Sequence, residues 1–128
     1  ACNLLGIRNE ADLKNHPLRG NLFETMIVGE ALKFFHNRGI RPPLHYYREA
    51  GGLEIDLLIS FANKHLPVEI KSAGMINPSF HSSLNKYLNM NHEAEAWLIY
   101  GGSESWKSGN ITILSPDKLV ARLQSVFP

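Results

Sequence analysis

Apolar residues recur along this chain with two periods, and the change from one to the other divides it into elements. From Asn21 to Arg38 the period is helical. Phe23, Met26, Ile27 and Phe34 form one row, and Ile27, Val28, Ala31 and Phe35 form a second beside it. Two adjacent rows make a wide stripe, which predicts a helix packed on something large. Asn21, with Glu24 three residues later, reads as an N-cap with a capping box. Gly39 and then Pro42-Pro43 stop the helix. Upstream, Leu4 to Leu13 is short and ambiguous, and His16-Pro17-Leu18-Arg19-Gly20 reads as a turn.

Beyond Pro43 the period shortens to two. Leu44 to Glu49 is rich in aromatics and reads as a strand, followed by an Ala50-Gly51-Gly52 tight turn. Leu53 to Phe61 alternates, with Leu53, Ile55, Leu57, Ile59 and Phe61 on one face and Glu54, Asp56, Leu58 and Ser60 on the other. That predicts a second strand, paired with the first as a hairpin. Asn63-Lys64-His65 reads as a turn into a third strand, Leu66 to Lys71, which tolerates Pro67 near its start.

Met75 to Asn91 reads as a helix through Phe80, Leu84, Tyr87 and Leu88. Glu95 to Tyr100 is a fourth strand, Gly101 to Gly109 a loop, and Ile111 to Leu114 a fifth strand. A closing helix starts at Ser115-Pro116-Asp117 and reaches about Val126, with Ser115 as N-cap. The order is helix, three strands, helix, two strands, helix. A meander followed by a helical crossover predicts an α/β fold, a mixed central sheet flanked by helices.

Composition narrows the class. The 128 residues suffice for one domain and not two. With 44% hydrophobic and 20% charged residues, the chain has a core to bury and is not a disordered segment. Thirteen Lys and Arg against 12 Asp and Glu leave a net charge of +1, so any nucleic-acid contact rests on a local patch. Lys33, Arg38, Arg41 and Arg48 are the candidates for it, with Tyr46 and Tyr47 as candidate stacking rings and Ser72, Ser82 and Lys86 as further phosphate contacts. The single cysteine, Cys2, excludes an internal disulfide and points to a reducing, cytoplasmic setting. No apolar run approaches the ~20 residues of a membrane span, and no signal-peptide pattern opens the chain. The histidines at 16, 36, 45, 65, 81 and 92 lack ligand spacing, which argues against zinc. Trp97 reads as core, and Trp106 as a loop aromatic. The abrupt start, Ala1-Cys2-Asn3 without an initiator Met, suggests that residues 1–19 are an extension from a longer chain.

The candidate chemistry comes from strand faces. Asp56 points away from the Leu53-Ile55-Leu57-Ile59 face, and on the third strand Glu69 and Lys71 point away from Leu66, Val68 and Ile70. If the two strands are neighbours, Asp56, Glu69 and Lys71 gather on one sheet face. Acids in apolar strands are costly unless something compensates them. A divalent cation does so: Mg²⁺ (or Mn²⁺) takes hard oxygen ligands, here Asp56, Glu69 and the Ile70 carbonyl. Lys71 would orient or deprotonate a water and stabilise charge on a phosphate. Glu24, on the preceding helix, would add a carboxylate or hold a metal-bound water; Glu30 is the alternative inward acid. The plain reading is that Lys71 forms an ion pair with Asp56 or Glu69.

Gly20-Asn21-Leu22-Phe23-Glu24, Glu54-Ile55-Asp56-Leu57-Leu58 and Val68-Glu69-Ile70-Lys71-Ser72 together resemble the PD-(D/E)xK superfamily of restriction-endonuclease-like domains. More narrowly, the chain from about Gly20 to Leu114 resembles the domain of unknown function DUF4143, found at the C-terminus of bacterial and archaeal AAA-type ATPases. The resemblance implies an α-β-β-β-α-β core and a metal-dependent nuclease acting on nucleic acid, expected to be DNA. It makes Glu24 the helix glutamate, Asp56 the principal metal ligand, and Glu69 and Lys71 the E-x-K pair. Ile55 stands where the motif's name has proline. It also implies an upstream ATPase domain as partner; no G-x-x-x-x-G-K-[ST] occurs in this chain, so no ATP site is assigned. The rival reading is a non-catalytic accessory module of that ATPase that binds DNA or protein.

Overall fold

The computed structural model of the chain describes residues 19–61, 63–93 and 95–127. Among these residues three helices, α1 (Arg19–Asn37), α2 (Ser82–Asn91) and α3 (Leu119–Val126), accompany six strands. The strands are β1 (Leu44–Arg48), β2 (Glu54–Phe61), β3 (Lys64–Lys71), β4 (Ala96–Tyr100), β5 (Trp106–Ser108) and β6 (Ile111–Leu114). Single 3₁₀ turns, Pro78–His81 and Pro116–Lys118, lead into α2 and α3. The strands form one mixed sheet in the order β1-β2-β3-β4-β6-β5. The β1-β2-β3 meander is antiparallel, β3, β4 and β6 run parallel, and β5 closes the far edge antiparallel to β6. The α/β fold and the helix–strands–helix–strands order expected from the periodicity are therefore present.

Helices cover both faces of the sheet, and each face has its own core. On one side Ile27, Ala31, Phe34 and Phe35 of α1 and Leu119 and Leu123 of α3 pack against Leu57, Ile59, Val68, Ile70, Trp97 and Leu114. Phe35 is completely buried and meets Phe34, Phe61 and Phe127 with ring centroids 5.0, 6.4 and 5.6 Å apart. On the other side Leu84, Tyr87 and Leu88 of α2 pack against Leu53, Ile55, Leu58, Leu98, Tyr100 and Ile113. The central strands β4 and β6 are buried throughout, which accounts for their unbroken apolar runs. Trp97 is core, as its strand implies.

Helix α1 ends as expected. Gly39 takes the left-handed conformation at φ +69°, its N–H donates to the His36 carbonyl, and the Ile40 N–H donates to the Phe35 carbonyl. This is a Schellman motif, and Ile40 folds back onto the same core as Phe35. The Ala50-Gly51-Gly52 turn also forms, with Gly52 at φ +97° and its N–H donating to Glu49.

Several boundaries differ from the sequence reading. Asn21 and Gly20 lie inside α1, so Asn21 is not an N-cap and the expected turn does not extend to Gly20. Arg19 is likewise helical, while His16 to Leu18 and the Leu4–Leu13 stretch fall outside the described residues. Met26 is 47% exposed, so the buried stripe is Ile27, Ala31, Phe34 and Phe35, with Phe23 and Val28 partly buried beside it. Strand β3 begins at Lys64, directly after Asn63, which takes a positive φ. The second helix starts at Pro78 with a 3₁₀ turn capped by the Asn77 side chain, not at Met75. The Gly101–Gly109 loop contains a short edge strand, β5, whose three residues are all exposed and so carry no hydrophobic signature.

Candidate functional site

The site begins with a break in β2. His45 and Tyr47 of β1 pair with Leu58 and Ile55, so three residues of β1 face four of β2. The extra residue is a β-bulge, and it reverses the facing of the strand. Leu53 and Ile55 join the α2-side core, while Leu57 and Ile59 join the α1-side core. The single alternation expected from Leu53 to Phe61 is therefore wrong in its first half. Three successive buried residues, Leu57-Leu58-Ile59, are its trace in the sequence.

Asp56 sits in this bulge, and its carboxylate turns toward β3. The β2–β3 pairing starts at Leu57 opposite Val68. One step further, side chains replace the ladder: the Ile70 N–H donates to Asp56 Oδ2 at 2.9 Å, and the Asp56 N–H donates to Glu69 Oε1 at 3.2 Å. Two acids on adjacent strands thus each cap the other strand's backbone. Each keeps one oxygen, Asp56 Oδ1 and Glu69 Oε2, outside these bonds.

Burial sets the electrostatics. Glu69 is only 5% exposed. Loss of hydration, followed by the charge of Asp56, pushes its carboxyl up to about 7; the Asp56 N–H and Lys71 oppose this only in part. Lys71 Nζ lies 3.9 Å from Glu69 Oε2, with its side chain 40% exposed, and stands 5.5 Å from the centre of the Phe80 ring. The Phe80 contact was not among the expected site features; the sequence marks Phe80 only as an apolar position of the second helix. Glu24 is half-buried on α1; its carboxyl is raised by burial and by Asp56 and lowered by Lys71, so it lies within electrostatic reach of both. Glu30 instead lies 3.6 Å from Lys33 on the helix surface. Ile70 gives its N–H to Asp56 and its side chain to the core.

Close backbone packing holds the end of β3 in place. A Cβ on Gly101 would sit 2.3 Å from the Ser72 carbonyl oxygen, and the Gly101 N–H donates to the Ala73 carbonyl at 2.8 Å. Glycine at the end of β4 thus allows the strand-end loops to touch directly behind Lys71.

The structure brings Asp56, Glu69 and Lys71 together, with Glu24 nearby. Among the described residues no three His, Cys, Asp or Glu side chains are placed to share a metal ion. A cation here would therefore take two carboxylates, the remainder of its shell coming from backbone or water. The donor set fits a hard divalent cation, because a close pair of carboxyls that retains a proton near neutral pH is what such a charge relieves. The expected basic patch is largely engaged elsewhere. Arg38 stacks on Phe34 at 4.3 Å and donates to the Phe127 carbonyl, and Arg48 pairs with Glu54 at 3.1 Å. Tyr46 is exposed, whereas Tyr47 packs edge-on against Tyr87 at 5.0 Å. Trp106 is 43% exposed and packs edge-on against Tyr100 at 5.7 Å. No helix among the described residues is long and apolar enough to cross a membrane.

Comparison with curated proteins finds no match. The family model described as "Domain of unknown function (DUF4143)" matches residues 19–119, from the first residue of α1 to the first of α3, and so takes in both strands that carry the acid pair. The chain belongs to the DUF4143 family.

Proposed function

We propose that this domain is a divalent-metal-dependent nuclease of PD-(D/E)xK type that hydrolyses phosphodiester bonds of nucleic acid, DNA in the first instance, under the control of an ATPase domain in the same protein. The observation that carries this reading is the acid pair itself. Asp56 and Glu69 meet across two strands, burial raises the Glu69 carboxyl to about 7, and the Lys71 amine stands 3.9 Å away at the end of β3. Bound Mg²⁺ or Mn²⁺ would polarise the phosphate and acidify a water. Asp56 Oδ1, Glu69 Oε2 and the Ile70 carbonyl would hold it. Lys71 would donate to a phosphate oxygen and align the water for in-line attack. Glu24 would take a hydrogen bond from a water of the cation's shell. The ATPase linkage rests on the family resemblance, and the cytoplasmic setting on the single cysteine.

A non-catalytic accessory module of the ATPase, binding DNA or protein, is the second reading. It is favoured by the mutual capping of Asp56 and Glu69, which leaves the acid pair bonded to backbone without any cation.

Calorimetric titration with Mn²⁺ of the native chain and of Asp56→Asn, with a nicking assay on supercoiled and branched DNA, separates the two. The nuclease reading requires millimolar or tighter binding and nicking, both lost in Asp56→Asn. Absence of binding at millimolar Mn²⁺ leaves the accessory module as the better account.

A further inference from the structure

A second concavity lies at the far edge of the sheet. A cavity of about 460 Å³ opens between the β5–β6 edge and α3, lined by Lys107, Thr112, Leu114, Lys118 and Arg122 among others. This volume is in the range of sites that hold small organic ligands. Lys107 pairs with Thr112 across the two strands, so both side chains lie on the same sheet face. Lys118 and Arg122 are four residues apart, one helical turn, and line the opposite wall. The cavity thus receives cations from both walls.

Few acids answer them. Arg122 lies 3.2 Å from Glu95 Oε2, the same oxygen that accepts from Trp97 Nε1 at 2.7 Å. Among the described residues neither Lys107 nor Lys118 has an acidic oxygen within 4.0 Å. Asp117, beside Lys118 in sequence, is fully exposed and is held low first by the Ser115 hydroxyl.

Independently, the two buried side-chain polar atoms without a hydrogen-bond partner among the described residues both belong to this lining: Thr112 Oγ1 and Arg122 Nε. Thr112 is 7% exposed. A hydroxyl and a guanidinium N–H both need an acceptor, and the lysine and arginine side chains of the lining offer none. Both atoms are covered in the free protein, so Thr112 meets a ligand only if its side chain turns within the cavity that the residue lines. A ligand rich in acceptor oxygens and negative charge answers the lining cations, and the Thr112 hydroxyl once it is turned toward the cavity.

The geometry points to this cavity as a binding site for a phosphate-bearing ligand, with Lys107, Lys118 and Arg122 neutralising the phosphate and Thr112 donating to it. The site stands apart from the acid pair, since β5 is three strand spacings, about 14 Å, from β3. It does not depend on the nuclease reading.

The test is an amide NMR titration with inorganic pyrophosphate in EDTA at constant ionic strength, on the native chain, on Lys107→Gln/Lys118→Gln and on Asp56→Asn. The expected result is shifts confined to residues around Lys107, Thr112, Lys118 and Arg122, at least tenfold weaker binding in the double variant, and unchanged binding in Asp56→Asn. Both replaced lysines are exposed, so the double variant keeps its core. A ten-nucleotide DNA strand then separates two sources of phosphate. Displacement of pyrophosphate assigns the site to a nucleic-acid backbone, and failure to displace it assigns the site to a small phosphate ester. Shifts spread over unrelated basic residues such as Lys33, Arg41 and Lys86, with affinity unaltered in the double variant, would overturn the proposal.

Discussion

Asp56 and Glu69 are bound to each other's strands: the Asp56 N–H donates to Glu69 at 3.2 Å, while the Asp56 carboxylate takes the N–H of Ile70, the residue after Glu69. This exchange puts two carboxyls side by side in a buried place, and the result is a proton retained on Glu69 up to about pH 7. Folding is linked to that proton. An unfolded glutamate ionises near 4.5, so between 4.5 and about 7 the native state binds the more protons. The contribution of Glu69 to stability is complete below pH 4.5 and is lost as pH rises through about 7. Over that range the loss is at most about 3 kcal/mol, from 1.36 kcal/mol per pK unit. Glu69→Gln keeps an acceptor for the Asp56 N–H and removes the titration. Urea midpoints in EDTA at pH 5 and pH 8 should show the native chain weakening toward pH 8 and the variant nearly level. Parallel behaviour of the two proteins would contradict the buried pair.

Lys71 tunes the same proton. Its charge lowers the Glu69 carboxyl, although by less than burial and Asp56 raise it. In Lys71→Met the midpoint of the Glu69 ¹³Cδ titration should therefore move upward. Stability itself should change by less than about 1 kcal/mol, because the ion pair is 3.9 Å long and the amine is partly in water. A downward or absent shift would remove Lys71 from the acid pair.

The parts of this arrangement were unequally legible in the sequence. Helix α1 and strands β3, β4 and β6 announce themselves because they are amphipathic or apolar over whole turns or runs. The identities of Asp56, Glu69 and Lys71 stand out because charged residues are rare in such strands. What strict alternation cannot express is the bulge. It put Leu53 and Ile55 on the face of Leu57, whereas the extra residue sends them to the opposite core and turns Asp56 toward Ile70. The adjacent apolar residues Leu57-Leu58-Ile59 were the available signal. Strand β5 and the lysines near it gave none, since Trp106, Lys107 and Ser108 are exposed and short-range pattern reads them as loop.

Gly101 offers a test of how tightly the end of β3 is fixed. A methyl group there would lie 2.3 Å from the Ser72 carbonyl oxygen, and the Ser72 and Ala73 atoms it would meet are backbone, so they cannot rotate aside. Gly101→Ala should cost about 1–3 kcal/mol, the usual range for overpacking. Gly29→Ala, within α1 and with no atom inside 4 Å of the added carbon, should instead stabilise by up to about 1 kcal/mol through helix propensity. Thermal midpoints of the two variants should move in opposite directions.

The α1-side core rests on Phe35, which joins α1 to Phe61 of β2 and to Phe127 beyond α3. Phe35→Ala should destabilise the chain by about 3–5 kcal/mol. Urea unfolding would show it, and a loss below about 1 kcal/mol would mean that the three rings do not share one core.

Glu95 is placed to govern the second cavity. One of its oxygens serves both Trp97 Nε1 and Arg122, tying a core indole and a cavity cation to a single charge. Glu95→Gln separates the two duties. The amide oxygen still accepts from Trp97, so stability should change by less than about 1 kcal/mol, the scale of a part-exposed ion pair. The negative charge that offsets Arg122 is gone, and the field in the cavity becomes more positive by one unit. Pyrophosphate should then bind severalfold more tightly at low salt, with the gain shrinking as ionic strength rises and the charges are screened. Tighter binding would mark Glu95 as a competitor of the ligand for Arg122. Weaker binding would show that Glu95 holds the guanidinium in the position from which it meets the phosphate, and the expected sign of this effect would be wrong.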